Sequence, residues 1–359
     1  MLQSGRMTCD GKWRCVLGLL AALALASCST ARFYGQALAG QREMSRLSRP
    51  VEAVLADPAS SPRLRRKLET ARDQLAFAEQ ELALPVQGQY ERYADLGRRQ
   101  AVWVVFAAPE FSVAAKTWWY PLIGKLKYRG FFREELAQAE AERWRSRGLD
   151  VFVGGVEAYS TLGWLRDPLL NTFLGRDDAW LADLLFHELT HQRIYLPGDT
   201  DFNEALATAV GQEGARRWLR ARGRLRDLAI FERELAVERE FVAEVLATRQ
   251  RLAVLYKIES GRPPEELRRA KQAEFERLKT QLRALDRRHG GSLRLDRWLA
   301  QPLNNARLNT VATYHELLPH FEAVLRRHDG DFEAFFREIE GLRRLEGRAR
   351  LARLKELAS

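Results

Sequence analysis

His187-Glu188-Leu189-Thr190-His191 puts two imidazoles and a carboxylate into five residues. On a helix of about 3.6 residues per turn, side chains four apart lie one above the other, so His187 and His191 can hold one ion between them. The ion such a pair favours is zinc, one per chain. Glu188 is turned about 100° from His187. It is poorly aimed as a third ligand and well placed to take a proton from a water at the metal. That is metallopeptidase chemistry, although so short a pattern also arises by chance and needs its surroundings. Residues 180–186 (Trp-Leu-Ala-Asp-Leu-Leu-Phe) are apolar and helix-compatible, and Pro197-Gly198 gives a stop after the second histidine. Asp183, one turn before His187, either supports the ring's other nitrogen or is an ordinary solvated helix carboxylate.

An open catalytic zinc site uses three protein ligands, and a His, His, carboxylate set is one way to build it. Glu204, in Asn203-Glu204-Ala205-Leu206-Ala207, is the next carboxylate that a new helix can bring back. The turn Pro197-Gly198-Asp199-Thr200 can reverse the chain before it, and twelve residues separate His191 from Glu204. A competing reading makes Asp201 and Glu204 a capping box, with the glutamate satisfying a helix N-terminus. Glu213 follows nine residues after Glu204. On an ideal helix that is about 180° away, so both cannot face one ion, and Glu213 is assigned to structure.

A wider set of residues then becomes informative. Tyr93-Ala94-Asp95-Leu96-Gly97-Arg98, Tyr128-Arg129-Gly130-Phe131-Phe132, Ala158-Tyr159-Ser160-Thr161-Leu162-Gly163-Trp164, the histidine motif through Asn203-Glu204, and Asn304-Asn305-Ala306 with Tyr314 span most of the chain. Together they resemble the family named putative aminopeptidase, a family of proteobacterial lipoproteins. The resemblance implies a zinc peptidase of the gluzincin type acting on a peptide substrate, with His187, His191 and Glu204 as ligands and Glu188 as general base. Two departures stand out. The gap before Glu204 is shorter than in thermolysin-like gluzincins, and the cysteine pair that members often carry before the Tyr-Arg-Gly motif is replaced by Trp118-Trp119-Tyr120-Pro121-Leu122-Ile123-Gly124-Lys125. That loop must be held by packing. A gluzincin-like site also wants a phenol or imidazole for the oxyanion, and Tyr314 is the candidate, with Tyr195 and Tyr159 as rivals. Asn203 is placed to orient the third ligand or the substrate. His315 and His320 are poor co-ligands at a spacing of five with Pro319 between them, and His289 and His328 read as surface residues.

Lys12 and Arg14 precede an apolar run over residues 16–26 that is too short for an ordinary span and typical of a secretory signal. It ends in Leu25-Ala26-Ser27-Cys28, which resembles a bacterial lipobox: cleavage after residue 27 and lipid modification of Cys28 are expected, with Ser29 favouring the outer membrane, facing the periplasm. A plain signal peptide or an uncleaved anchor is the alternative. The other cysteines, Cys9 and Cys15, lie in the same segment, so the mature chain has no thiol pair. This argues against a cysteine-liganded zinc and a thiol nucleophile. Loss of Arg6, Lys12 and Arg14 against Asp10 lowers the formal charge from +10 to +8. Nucleic acid is discounted as a partner, because the arginines are mixed with glutamates, as in Phe231-Glu232-Arg233-Glu234.

The expected fold is α+β and mostly helical: a zincin-like core with a small sheet, a metal-binding helix pair and a long C-terminal helical region. The expected divisions are the signal (1–27), an N-terminal helical arm (28–85), the core (86–223) and a helical domain (224–359). Helical spacing from Phe33 to Ala83, broken at residues 57–62, suggests a hairpin. Residues 102–106 and 151–153 read as strands. Residues 158–164 are expected as a strand, either an edge that aligns an extended peptide or an internal one. From Leu225 to Arg288 two helices break at Gly261-Arg262-Pro263-Pro264, with stripes Leu228, Phe231, Leu235, Val242, Leu246 and Leu267, Phe275, Leu278, Leu282. This hairpin is either a flank of the core or a partner-binding arm. Other functions left open are a zinc endopeptidase and a lipid-anchored binding or scaffold protein whose metal site is vestigial.

Overall fold

The computed structural model describes residues 31–359 apart from Leu122, Leu162, Gly163, Ser260 and Arg294. Residues 1–30, where a signal segment and a lipid-modified Cys28 are expected, lie outside the described residues. The chain divides into two compact units, Met1–Leu47 and Ser48–Ser359. In the first, residues 31–47 form helix α1. The second begins with β1 (Ser48–Pro50), α2 (Val51–Ala56) and α3 (Pro62–Glu81). Its strands then follow in quick succession: β2 (Arg92–Ala94), β3 (Val102–Pro109), β4 (Trp118–Tyr120), β5 (Gly124–Leu126) and β6 (Tyr128–Phe131). After α4 (Glu134–Arg145) come β7 (Leu149–Val156), β8 (Leu169–Leu170) and α5 (Asn171–Leu174). The rest is helical: α6 (Asp178–Arg193), α7 (Thr200–Ala221), α8 (Leu225–Ile258), α9 (Pro264–Arg288), α10 (Leu295–Leu299), α11 (Asn305–His315), α12 (Leu318–Arg327), α13 (Phe332–Gly341) and α14 (Gly347–Leu357). This is the mostly helical α+β fold expected from the sequence. Among the described residues, no helix is long and apolar enough to cross a membrane.

The sheets are small. β3 pairs antiparallel with β6 and β7 in the order β6-β3-β7, β4 and β5 form a hairpin, and β2 joins β1 antiparallel and β8 parallel. Strands β3 and β7 extend the two apolar runs read as strands. Two expectations fail. The helical spacing from Phe33 to Ala83 is broken not only at residues 57–61 but also by β1, where Ser48, Arg49 and Pro50 pair with β2 and the Arg92 guanidinium holds the Ser48 carbonyl. Residues 158–161 and Trp164 form a loop, not a strand. Asp167 explains it: its carboxylate accepts from the Thr161 backbone N–H at 2.8 Å, from Thr161 Oγ1 at 2.9 Å and from Ser160 Oγ at 3.2 Å. A side chain that satisfies the backbone in this way competes with strand pairing.

The core of the second unit is centred on the α6–α7 pair. α6 buries Leu181, Leu185, Phe186 and Leu189, and α7 buries Phe202, Leu206, Val210 and Trp218. α3 covers α6 through Phe77, whose ring lies 6.3 Å from that of Phe186. Gln74 and Lys67 of α3 bind Asp178 at the start of α6. Each fully buried Leu or Phe contributes about 1.5–3 kcal/mol, whereas exposed ion pairs contribute about 0–1 kcal/mol. Apolar packing therefore sets the helix positions.

The α8–α9 hairpin is antiparallel: Arg251 of α8 pairs with Glu274 of α9 at 2.6 Å, and Glu240, earlier in α8, pairs with Arg288, at the end of α9, at 3.2 Å. Its inner stripe, including Leu252, Tyr256, Phe275, Leu278 and Leu282, closes over Leu308 of α11. Lys271 of α9 reaches Asp150 of β7 at 2.6 Å. The apolar face of the hairpin is thus covered by the rest of its own unit. The Trp118–Lys125 segment, where a disulfide is missing, is held by packing: the Trp118 and Trp144 rings meet edge to face at 6.3 Å and Lys116 sits over both.

Candidate metal centre

α6 is capped by Asp177, whose side chain accepts from the Ala179 N–H. It runs unbroken through the five-residue motif. The Nε2 atoms of His187 and His191 face each other at 3.2 Å. The chain then reverses within residues 194–199 and returns as α7. The N-cap of α7 is Asp199, which accepts from the Phe202 N–H at 3.3 Å and from Arg350 at 2.5 Å. The capping box of Asp201 and Glu204 is therefore not formed: Asp201 binds Lys127 at 2.5 Å, and the Glu204 carboxylate turns to the histidines. Its Oε2 lies 3.3 Å from His187 Nε2 and 3.6 Å from His191 Nε2.

Three features of the chain make this approach possible. Asn203 donates to the Leu196 carbonyl and accepts from the Leu196 N–H, each at 2.8 Å, so its two polar atoms clamp the connecting loop. Gly124 (φ +83°) meets that loop at the Pro197-Gly198 turn, where a Cβ would fall 2.6 Å from the Gly198 nitrogen. Gly211 lets α7 lie directly on α6: a Cβ there would stand 2.5 Å from Asp183 Oδ1 and 3.3 Å from His187 Cβ. Only glycine fits either place.

The donor atoms of His187, His191 and Glu204 lie within 4.8 Å of one another and can hold one metal ion. Metal–ligand bonds of about 2.0–2.2 Å in a tetrahedron give ligand–ligand edges of about 3.3–3.6 Å, and the observed edges of 3.2, 3.3 and 3.6 Å match. Two imidazoles and a carboxylate are also the right donor chemistry for an open zinc site. Burial would raise the Glu204 carboxyl, but His191 and His187 outweigh it and hold it well below the usual range. Burial works against the charged form of His187, yet Glu204, Glu188 and Asp183 push its pKa up. Both shifts describe a cluster that attracts a cation. Among the described residues, His191 Nδ1 is buried without a hydrogen-bond partner.

Around the cluster, the charge of Glu188 is felt at Tyr90, Tyr128, Asp167 and Tyr314. Tyr314 comes from α11 and stacks on His187, with ring centroids 6.2 Å apart and planes at 29°. Asn304 and Asn305 fix that helix. Asn304 caps it and donates to the Val151 carbonyl at 3.0 Å, while Asn305 accepts from Tyr256 at 3.0 Å and donates to the Glu110 carbonyl at 2.9 Å. Burial, then the Glu204 and Glu188 charges, keep the Tyr314 phenol protonated well above its ordinary range. Tyr195 also reaches the cluster, 6.4 Å from the His191 ring. Tyr159 packs instead on Phe132, at 4.9 Å. Asp183 lies within electrostatic range of His187, and burial pushes its carboxyl up to about 6. Glu213 pairs with Arg217 and Arg216, as a structural residue would. His315 is drawn down to about 4 by burial, while His289 and His328 pair with Glu240 and Glu338.

One residue of the site was not singled out from sequence. The Tyr128 hydroxyl donates to Glu204 Oε1 at 3.3 Å. Within a strand it reads as an ordinary sheet aromatic, and only its place in the Tyr-Arg-Gly segment sets it apart.

A family model described as Putative aminopeptidase matches residues 32–354. No curated protein and no solved structure matches the chain significantly.

Proposed function

The chain belongs to the Putative aminopeptidase family, and from that premise we propose that it is a zinc-dependent aminopeptidase, with His187, His191 and Glu204 as ligands and Glu188 as general base. The observation that carries this reading is the convergence of three donor atoms on one point, with Glu188 next in the chain to the first of them. When bound, zinc would act as a Lewis acid on the peptide carbonyl and lower the pKa of the attacking water to about 7. Glu188 takes the proton from that water and delivers it to the leaving amine. The Tyr314 phenol, protonated and beside the cluster, donates to the carbonyl oxygen as negative charge develops there. Asp183 stands behind His187 and biases its ring by charge, while Asn203 acts at a distance by fixing the loop between the ligands. The Leu25-Ala26-Ser27-Cys28 sequence supports a lipid anchor at Cys28 and a periplasm-facing place on the outer membrane.

A second reading, an endopeptidase, has one observation in its favour. An aminopeptidase needs a carboxylate for the substrate's α-amine, and two acids near the cluster are already engaged: Asp167 by Ser160 and Thr161, and Asp201 by Lys127. Matched peptides with free and acetylated N-termini, offered to the zinc-loaded protein, separate the two. Cleavage confined to free N-termini is the expected result. Equal cleavage of the acetylated set at internal bonds would establish the endopeptidase.

A further inference from the structure

Glu204 has two carboxylate oxygens with different partners. Oε2 faces both histidines, and Oε1 accepts from the Tyr128 hydroxyl at 3.3 Å. We propose that Tyr128 is a positioning residue that ties back one oxygen of Glu204, so that the glutamate offers the metal a single atom and the fourth position stays open. This rests on the metal-site reading above and deepens it.

The phenol is built into place. Tyr128 stands opposite Phe106 in the β6–β3 register, and their rings are 5.5 Å apart. The same cluster contains Ala108 and Ala306, both fully buried, with Val104 and Phe152 packed beside it. Ala306 brings α11 onto this cluster, so the sheet that places Tyr128 also seats the helix carrying Tyr314. The ring therefore cannot swing away without opening the contact between sheet and helix. At 3.3 Å the hydroxyl bond is longer than the usual 2.7–2.8 Å of such bonds, and the other oxygen of the same carboxylate faces the histidines.

The consequence is a division of labour between two phenols. Tyr128 acts on the ligand and not on the substrate. Tyr314 makes no hydrogen bond to Glu204 among the described residues and stays free for the reacting carbonyl. A carboxylate released from Tyr128 can rotate to offer the metal both oxygens, which would fill the position that water or substrate needs. Partners that orient a metal ligand in this way are worth about 10–100-fold in metal affinity or activity.

The test uses cobalt(II) as the probe, in the full mature chain carrying Tyr128→Phe, Tyr314→Phe or neither. Visible absorption reads the coordination number, since four-coordinate cobalt absorbs more strongly than five-coordinate cobalt. Competition with a chromophoric chelator reads affinity. The expected result is a four-coordinate spectrum in the wild type and in Tyr314→Phe. Tyr128→Phe should show a weaker, five-coordinate spectrum and metal affinity lowered about 10–100-fold. Phenylalanine keeps the ring packing, and an unchanged far-ultraviolet spectrum and unfolding midpoint would show that the fold is intact. A Tyr128→Phe protein with wild-type spectrum and affinity would overturn the proposal while leaving the metal site standing. A wild type that takes up no cobalt would overturn the metal-site reading, and this inference with it.

Discussion

The α6–α7 pair and the α8–α9 hairpin are both antiparallel helix pairs in one compact unit, and they are built on opposite terms. The hairpin hides an apolar stripe and leaves most of its charges outside it: α9 buries Leu267, Phe275, Leu278, Leu282 and Leu285, and the one charged residue buried in α9 is Lys271, which is paired with Asp150. The α6–α7 pair is buried nearly all round and takes Thr190, His191, Asn203, Glu204, Thr208, Gln212 and Arg216 in with it. Burying a polar group costs stability unless it is satisfied. Thr190, Thr208 and Asn203 are satisfied by backbone groups. Among the described residues, the polar partners of His191 and Glu204 are each other, His187 and Tyr128. The candidate site is where buried polar groups meet one another and not the backbone, an arrangement suited to holding a cation.

The contrast can be broken most severely at the metal centre. His191→Ala should lose both bound metal and turnover, read by metal analysis and peptide hydrolysis. Glu188→Gln should keep the metal yet lose about 10²–10⁴-fold in turnover. Full activity in that variant would refute its role as base. In the hairpin the outcome should reverse: Leu278→Ala, which empties a fully buried position, should cost about 2–5 kcal/mol in denaturant unfolding and leave metal affinity unchanged.

A smaller effect lies where the two regions touch. Glu238 of α8 has its carboxyl pushed up to about 7 by burial, then by the charge of Asp183. Its folded pKa thus exceeds the ordinary value of about 4.3, so the folded state holds the proton more tightly than the unfolded one. The contribution of this group to stability is fully present below about pH 4 and is lost as pH rises through about 7, at about 1.4 kcal/mol per unit of pKa difference. Glu238→Gln should flatten that decline, measured as unfolding free energy at pH 5 and pH 8. An equally steep decline in the variant would contradict the assignment. The smallest effect is expected at the exposed Arg288–Glu240 pair of the hairpin, where removal of either partner should change stability by about 0–1 kcal/mol.

The same contrast explains what could be read from the sequence. The hairpin was legible because its stability comes from periodic apolar burial: Phe231, Leu235, Val242, Leu267, Phe275, Leu278 and Leu282 are all buried as expected. Even there the stripe on α8 drifts, continuing through Val245, Leu252 and Tyr256 while Leu228 and Leu246 are only half-buried, because a long helix of about 3.6 residues per turn does not keep a strict repeat. His187 and His191 were legible because spacing within one helix fixes them. Tyr128 was not, because its contact with Glu204 depends on how β6 lies against α7. Residues 158–161 misled for a related reason: strand-like composition carries no trace of the Asp167 carboxylate that captures them. Asn203 stands beside Glu204 in the sequence, yet its two hydrogen bonds go to Leu196.

The central claim is that His187, His191 and Glu204 form one metal site, and zinc content of the purified chain from residue 29 onward, beside its Glu204→Ala variant, tests it most directly. About one zinc per chain, lost in the variant, is the result this account requires. No bound zinc in the wild type after zinc is supplied, or undiminished zinc in Glu204→Ala, would contradict it.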